Sequence, residues 1–197
     1  MFKEAIIMDS KEAIMQATIA LINENGKCID DITVREICKK ADVGLGLINY
    51  HFGSKENLIK QCVERIINGI VDEFRSIEEK TIGLTPFDKL DYLGNLTLTY
   101  LFDHYAVAKI SILGDLGAPK EDDNTEGTCH AYLPLVAACR PDWDDGTLRR
   151  KTFNLIAVLQ QSFLRHNVIY KLYGIDLTDK GQRRRFHSKI LHDILEI

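Results

Sequence analysis

Three observations predict an all-α protein. Apolar residues recur at helical spacing along most of the 197 residues, as expected of helices that bury one face. Period-two alternation, the mark of a half-buried strand, is missing. The breaks between periodic stretches carry helix signals, such as Thr33 followed by Glu36, and Pro86 placed for a first turn. The expected architecture is a three-helix head over residues 1–53, joined by a long helix to a helical bundle within 54–197.

In the head, residues 1–8 read as a loose lead. Asp9 with Glu12 has the capping-box pattern and opens a helix through about Asn25, with Ile14, Ala17 and Leu21 inward and Gly26 as its stop. Thr33 with Glu36 opens a second helix, whose Val34, Ile37, Cys38 and Ala41 share one face. Asp42, Val43 and Gly44 supply a short turn, with Val43 apolar enough to plug the angle between two helices. Leu45 to Phe52 forms another short helix, Ile48 and Phe52 inward, which Gly53 ends. Ser54 caps the next, with Asn57 at its third position. Two short helices joined by such a turn make a helix-turn-helix, the unit that lays its second helix in a DNA major groove.

From Lys55 to about Lys80 the helical period continues through Leu58, Ile59, Cys62, Ile66, Ile70 and Phe74, and the stretch from Thr81 to Pro86 breaks it. Further helices are expected at about 86–105, 106–116, 126–140, 147–173 and 179–196. Trp143, in a separator, reads as a loop anchor. On the helix at 147–173, Leu155, Ile156, Leu159 and Phe163 mark one side, with Phe153, Ala157, Leu164 and Val168 around it. That distribution predicts burial on two sides. Phe186, Ile190 and Ile194, with Leu191 and Leu195, stripe the last helix.

The stretch from Thr33 to Leu58 resembles the DNA-binding signature of the TetR family of transcriptional regulators. Thr33, Arg35, Ile37, Ala41, Val43, Gly46, Ile48, His51, Phe52, Ser54, Lys55, Glu56 and Leu58 stand in step with it. Four positions depart from it: Cys38 replaces a small alanine, Asp42 the turn glycine, Gly44 a Ser or Thr cap, and Asn49 a tyrosine that commonly touches phosphate. The resemblance implies a dimeric DNA-binding regulator, a repressor released when a small inducer enters the bundle. It implies that the last two helices pair with their copies as a four-helix bundle, through Phe153, Leu164, Phe186, Ile190 and Ile194. The implied partners are a palindromic double-stranded DNA operator, a second copy of the chain and an unidentified small-molecule effector. No cofactor is implied.

The composition, 45% hydrophobic and 27% charged, is that of an ordinary globular protein. No apolar run reaches the length of a membrane span. An acid at Glu4 argues against a secretory signal, and five cysteines without a C-x-x-C spacing fit reduced thiols, so a cytoplasmic protein is expected. A net charge of −4 does not exclude DNA, because affinity follows where charge sits rather than its sum.

Arg35 and Lys55 are the cationic candidates for DNA contact. Lys55 stands at a helix N-terminus, where backbone N–H groups and the helix dipole also attract phosphate. Thr33 is expected to cap its helix and touch a phosphate as well. Leu45, Gly46, Leu47, Asn49, Tyr50 and His51 occupy the expected exposed side of the recognition helix. Leucines there suit thymine methyls, and Asn49 either reads adenine N6 and N7 or holds a phosphate.

For an effector, the bundle offers polar and aromatic residues among apolar ones. Tyr100 with His104, and Phe163 with Asn167, are each four apart and expected to share a helix face, and His130 is the fifth candidate. The competing reading of each is plain core packing. His104, Cys129, His130 and His166 lack metal-ligand spacing, so no metal site is expected. Gly53-Ser54-Lys55 lacks the upstream glycine of a phosphate loop, Gly44-Leu45-Gly46 lacks the third glycine of a dinucleotide site, and no hydrolase motif occurs. The chain reads as a non-enzyme. Two other classes stay open: a DNA-binding head on a bundle that docks a protein and senses nothing, and a helical-bundle enzyme or binding module that merely carries this head.

Overall fold

The computed structural model describes residues 2–22, 31–75 and 80–197, and no strand occurs among them. The helices are α1 (Phe2–Ile22), α2 (Val34–Ala41), α3 (Gly46–Phe52), α4 (Lys55–Arg75), α5 (Pro86–Asp103), α6 (Tyr105–Gly117), α7 (Asn124–Cys139), α8 (Asp145–Leu164), α9 (His166–Tyr173) and α10 (Lys180–Leu195). They form two compact units, Met1–Arg75 and Ser76–Ile197. The division falls after Arg75 rather than after residue 53, because α4 packs against α1 and α3.

The first unit closes around fully buried Ile14, Ile37, Ile48 and Leu58, one from each of its four helices. Thr18 is buried among them at no cost in hydrogen bonding, since its hydroxyl donates to the Ile14 carbonyl at 2.7 Å. Helix α1 already runs from Phe2, so Asp9 lies within it rather than capping it, and residues 2–8 of the expected lead are helical backbone. The reason is local: no Gly or Pro interrupts the chain before Asp9. Asn25 and Gly26, the expected end of this helix, lie outside the described residues.

In the second unit, Thr85 accepts from the Asp88 N–H at 3.1 Å and Pro86 opens α5, as the sequence suggests. Helix α5 packs on α7 and α10, and α8 packs on α7 and α10, around Leu90, Val136, Leu155 and Leu191. Trp143 anchors the α7–α8 link: its ring lies under the Arg140 guanidinium (4.2 Å) and the Lys151 ammonium (5.3 Å). Arg140 also donates to the Leu195 carbonyl, which ties the end of α7 to the end of α10.

The expected helix at 147–173 is two helices, broken at Arg165. A continuous helix would give the Phe163 carbonyl to the Asn167 N–H. Instead His166 Nδ1 donates to it at 2.9 Å, and the next bond tightens to Val168 N–H on the Arg165 carbonyl at 2.8 Å. The break also separates Phe163, fully buried, from Asn167, which is exposed, so the two do not share a face.

Candidate nucleic-acid interface and effector cavity

The helix-turn-helix is held by bonds that its own sequence supplies. Thr33 is extended (φ −97°, ψ 152°) and makes the full capping box: its Oγ accepts from the Glu36 N–H at 3.2 Å while Glu36 Oε2 accepts from the Thr33 N–H at 2.9 Å. Asp42 takes the left-handed conformation (φ 53°) that ends α2, and the Val43 N–H then reaches back to the Cys38 carbonyl at 3.0 Å. An aspartate tolerates that conformation better than most residues, which explains how it stands in for a glycine. The Cys38 thiol, its pKa raised by burial, stays a proton donor and points at the Gly44 carbonyl at 3.9 Å. Beyond α3, Gly53 (φ 75°) turns the chain, and Ser54 Oγ accepts from the Asn57 N–H at 3.1 Å.

This frame leaves Leu45 (55% exposed), Gly46, Asn49 and Tyr50 (68% exposed) outward on α3, with Ile48 and Phe52 buried behind them. Space is open where a Cβ on Gly46 would stand, so backbone can approach closely there. Leu47 is half-buried. His51 differs from the expectation of an outward residue: it is half-buried and its Nε2 meets the Ser10 hydroxyl at 2.9 Å, so the ring turns toward α1.

The cationic candidates separate as well. Arg35 is exposed on α2, and Lys39, one turn on, is exposed with it. The i, i+4 spacing from Arg35 was the signal that would have found Lys39. Lys55 Nζ donates to the Ile32 carbonyl at 3.0 Å and so holds the link that precedes α2. The Thr33 hydroxyl proton goes to Glu36 Oε2 at 2.9 Å, which leaves it none to give a phosphate in this conformation.

In the second unit the five effector candidates scatter. Tyr100 and His104 stack on each other, ring centroids 4.3 Å apart. His130 is exposed on α7, away from any described cavity lining. An open cavity of about 400 Å³ is lined by Phe102, Asp103, Tyr105, His166, Asn167, Thr178, Lys180 and Arg183. Asn167 alone of the five lines it, while Phe163 supports it from behind, 5.3 Å from the Phe102 ring and 5.1 Å from Tyr105. Arg183 went unnoticed in the sequence because a buried arginine looks like any other in a basic run.

For self-association, Phe153 (51% exposed) and Val158 face outward on α8, and Leu164 is half-buried. Phe186 and Ile194 are half-buried on α10, but Ile190 is already only 9% exposed within one chain. Helix α8 therefore buries one side, not two, in the single chain. No group of metal-ligating side chains and no helix long and apolar enough to cross a membrane occurs among the described residues.

Comparison with known proteins bears on this head first. Residues 14–62 match the model for bacterial regulatory proteins, tetR family. The chain is 21% identical over 192 residues to the HTH-type transcriptional repressor KstR of Mycobacterium tuberculosis, covering 93% of this chain and 80% of that protein. It is 34% identical over 71 residues to the HTH-type transcriptional dual regulator CecR of Shigella flexneri, 36% of this chain and 30% of that one. Among solved structures, a TetR-like transcriptional regulator from Rhodococcus sp. RHA1 superposes with a TM-score of 0.59 at 12% identity, covering 94% of this chain and 95% of that chain. A second, described as the molecular basis for control of antibiotic production by bacterial hormones, gives 0.54 at 15% identity, covering 94% and 93%.

Proposed function

We propose that this chain, whose residues 14–62 match the model for bacterial regulatory proteins, tetR family, is a dimeric repressor released from a palindromic operator by a small molecule. The observation that carries this reading is the outward face at α3, where Leu45, Gly46, Asn49 and Tyr50 stand between the capped helices α2 and α4. Exposed leucine beside glycine is a poor solvated surface but a good one against thymine methyls, with Asn49 placed to read a base edge. Arg35 and Lys39 add phosphate contacts that set register without reading sequence.

Few cations per head make one copy a weak binder, and a dyad doubles the contacts. Phe153 and Leu164 share one face of α8, and with Phe186 and Ile194 of α10 they support pairing of these helices with their copies. An effector that binds the DNA-incompetent arrangement more tightly shifts the population to it, and the two recognition helices then no longer match successive grooves. A hundredfold preference amounts to about 2.7 kcal/mol.

Selection of DNA from a random pool by the purified protein tests the reading. The expected product is a two-fold symmetric site, with half-site centres about one helical turn, roughly 34 Å, or a multiple of it apart. Recovery of asymmetric or unenriched sequences would count against it.

A further inference from the structure

We infer that the cavity at Phe102, Tyr105, His166 and Arg183 is a binding site for a small organic carboxylate with a flat apolar body. The inference rests on the reading that this unit senses a small molecule, and adds the chemical class of that molecule.

Arg183 carries the argument. It is 4% exposed, yet it lines the cavity. Its Nη1 donates to the Leu177 and Thr178 carbonyls at 2.9 and 3.3 Å, and its Nη2 to the Thr99 hydroxyl at 3.4 Å. All three acceptors are neutral. No carboxylate among the described residues forms an ion pair with it; Asp103 and Asp179 act on it only at longer range. A buried guanidinium bonded only to neutral acceptors, with Asp103 and Asp179 acting from longer range, is incompletely compensated, and a carboxylate entering beside it would supply a close counter-charge and further hydrogen bonds. A latch for the loop at Leu177 and Thr178 would need only the hydrogen bonds, which a neutral donor can supply.

The walls define the rest of the ligand. The Arg183 guanidinium lies 4.8 Å from the Phe102 ring centroid. His166 stands edge-on to Phe102 and Tyr105, at 5.5 and 5.4 Å, and its Nδ1 is held by the Phe163 carbonyl. Because Phe102 and Tyr105 both rest on buried Phe163, the aromatic walls are preset rather than assembled by the ligand. Lys180 adds a second cation and Asp103 one acid, so the lining suits a monoanion better than a dianion. A volume of about 400 Å³ falls within the range of small-molecule sites, roughly 300–1,000 Å³.

The test uses the full chain with benzoate, its neutral isostere benzamide, and acetate, which lacks the ring, each titrated by NMR or calorimetry at low ionic strength. Benzoate should saturate one site, with benzamide and acetate each about tenfold weaker or more. Arg183→Met should erase the preference for benzoate over benzamide. If that variant fails to fold, Tyr105→Ala, at a half-exposed wall position, should still weaken benzoate several-fold. Equal binding of benzoate and benzamide, no saturable site, or unchanged benzoate affinity in Tyr105→Ala would overturn the inference. Operator affinity is read separately. Binding that depends on Tyr105 without DNA release sinks the inducer reading and keeps the site. DNA release by benzoate that is unchanged in Tyr105→Ala sinks the site and keeps the inducer reading.

Discussion

His187 of α10 lies directly on Gly94 of α5: a Cβ built on Gly94 would stand 1.9 Å from the imidazole Nε2. The histidine is fully buried, and its Nδ1 donates to Asp91 Oδ1 at 3.0 Å, one turn back on α5. Nε2 faces the glycine and has no hydrogen-bond partner among the described residues. Glycine within a helix costs roughly 0.5–1 kcal/mol relative to alanine. Here the imidazole occupies the place a side chain would take, so the two helices close over a buried polar pair.

Gly94→Ala should therefore destabilise the second unit, by roughly 1–3 kcal/mol as for other overpacked cores, seen as a lower midpoint in denaturant. His187→Ala in the same chain should recover part of the loss, a coupling that a double-mutant cycle measures. A Gly94→Ala protein as stable as its parent would mean that the helices separate without cost.

The same contact makes stability depend on pH. Burial, opposed by Asp91, holds the His187 pKa below its ordinary 6.5. The unfolded chain then binds a proton that the folded one resists, so stability is full above the unfolded pKa and falls as pH drops below it toward the folded value. The slope contributed by this one group cannot exceed about 1.4 kcal/mol per pH unit. Melting temperatures of the parent and His187→Gln, compared from neutral pH downward, should converge on acidification; parallel curves would assign the acid sensitivity elsewhere.

Phe153→Glu should give a monomer that retains its helical far-UV signal and loses operator binding. Phe153 is half-exposed on one chain, so the charge disturbs the apposed copy rather than the core, and burying it unpaired would cost several kcal/mol. Ile190→Glu is the contrasting variant. With 9% exposure it belongs to the single-chain core, and should unfold the unit instead. Light scattering that finds Phe153→Glu still dimeric places the interface on another face.

On DNA, Arg35→Ala should flatten the dependence of log affinity on log salt by roughly 0.9 per subunit, equally for all sequences. Lys55→Ala should also lose about 1 kcal/mol of stability, because its amine bonds the Ile32 carbonyl. Asn49→Ala should relax one base position per half-site by about 1–3 kcal/mol if it pairs bidentately with adenine. A uniform loss across sequences would make Asn49 a phosphate contact.

Much of this protein is written over spans of three or four residues. The caps at Thr33–Glu36 and Ser54–Asn57, the turn at Asp42, the stop at Gly53 and the inward pair Ile48 and Phe52 are all local, and the sequence alone determined them. With them came the helix-turn-helix and the outward face of α3, because a helix only a few residues long has little choice once its buried side is known.

Other features depend on partners far along the chain, and only the tertiary structure decided them. His51 reads as a surface residue until Ser10, 41 positions away, meets it. The helix expected through Arg165 breaks because His166, ringed by Phe102 and Tyr105 from two other helices, takes the Phe163 carbonyl. Arg183 is one of three successive arginines in the sequence, and nothing local marks it as the one turned inward beneath Thr99 and Phe102. Periodicity states which side of a helix is apolar, but which polar residue is carried inside is settled by the shape and hydrogen-bonding needs of whatever packs against it.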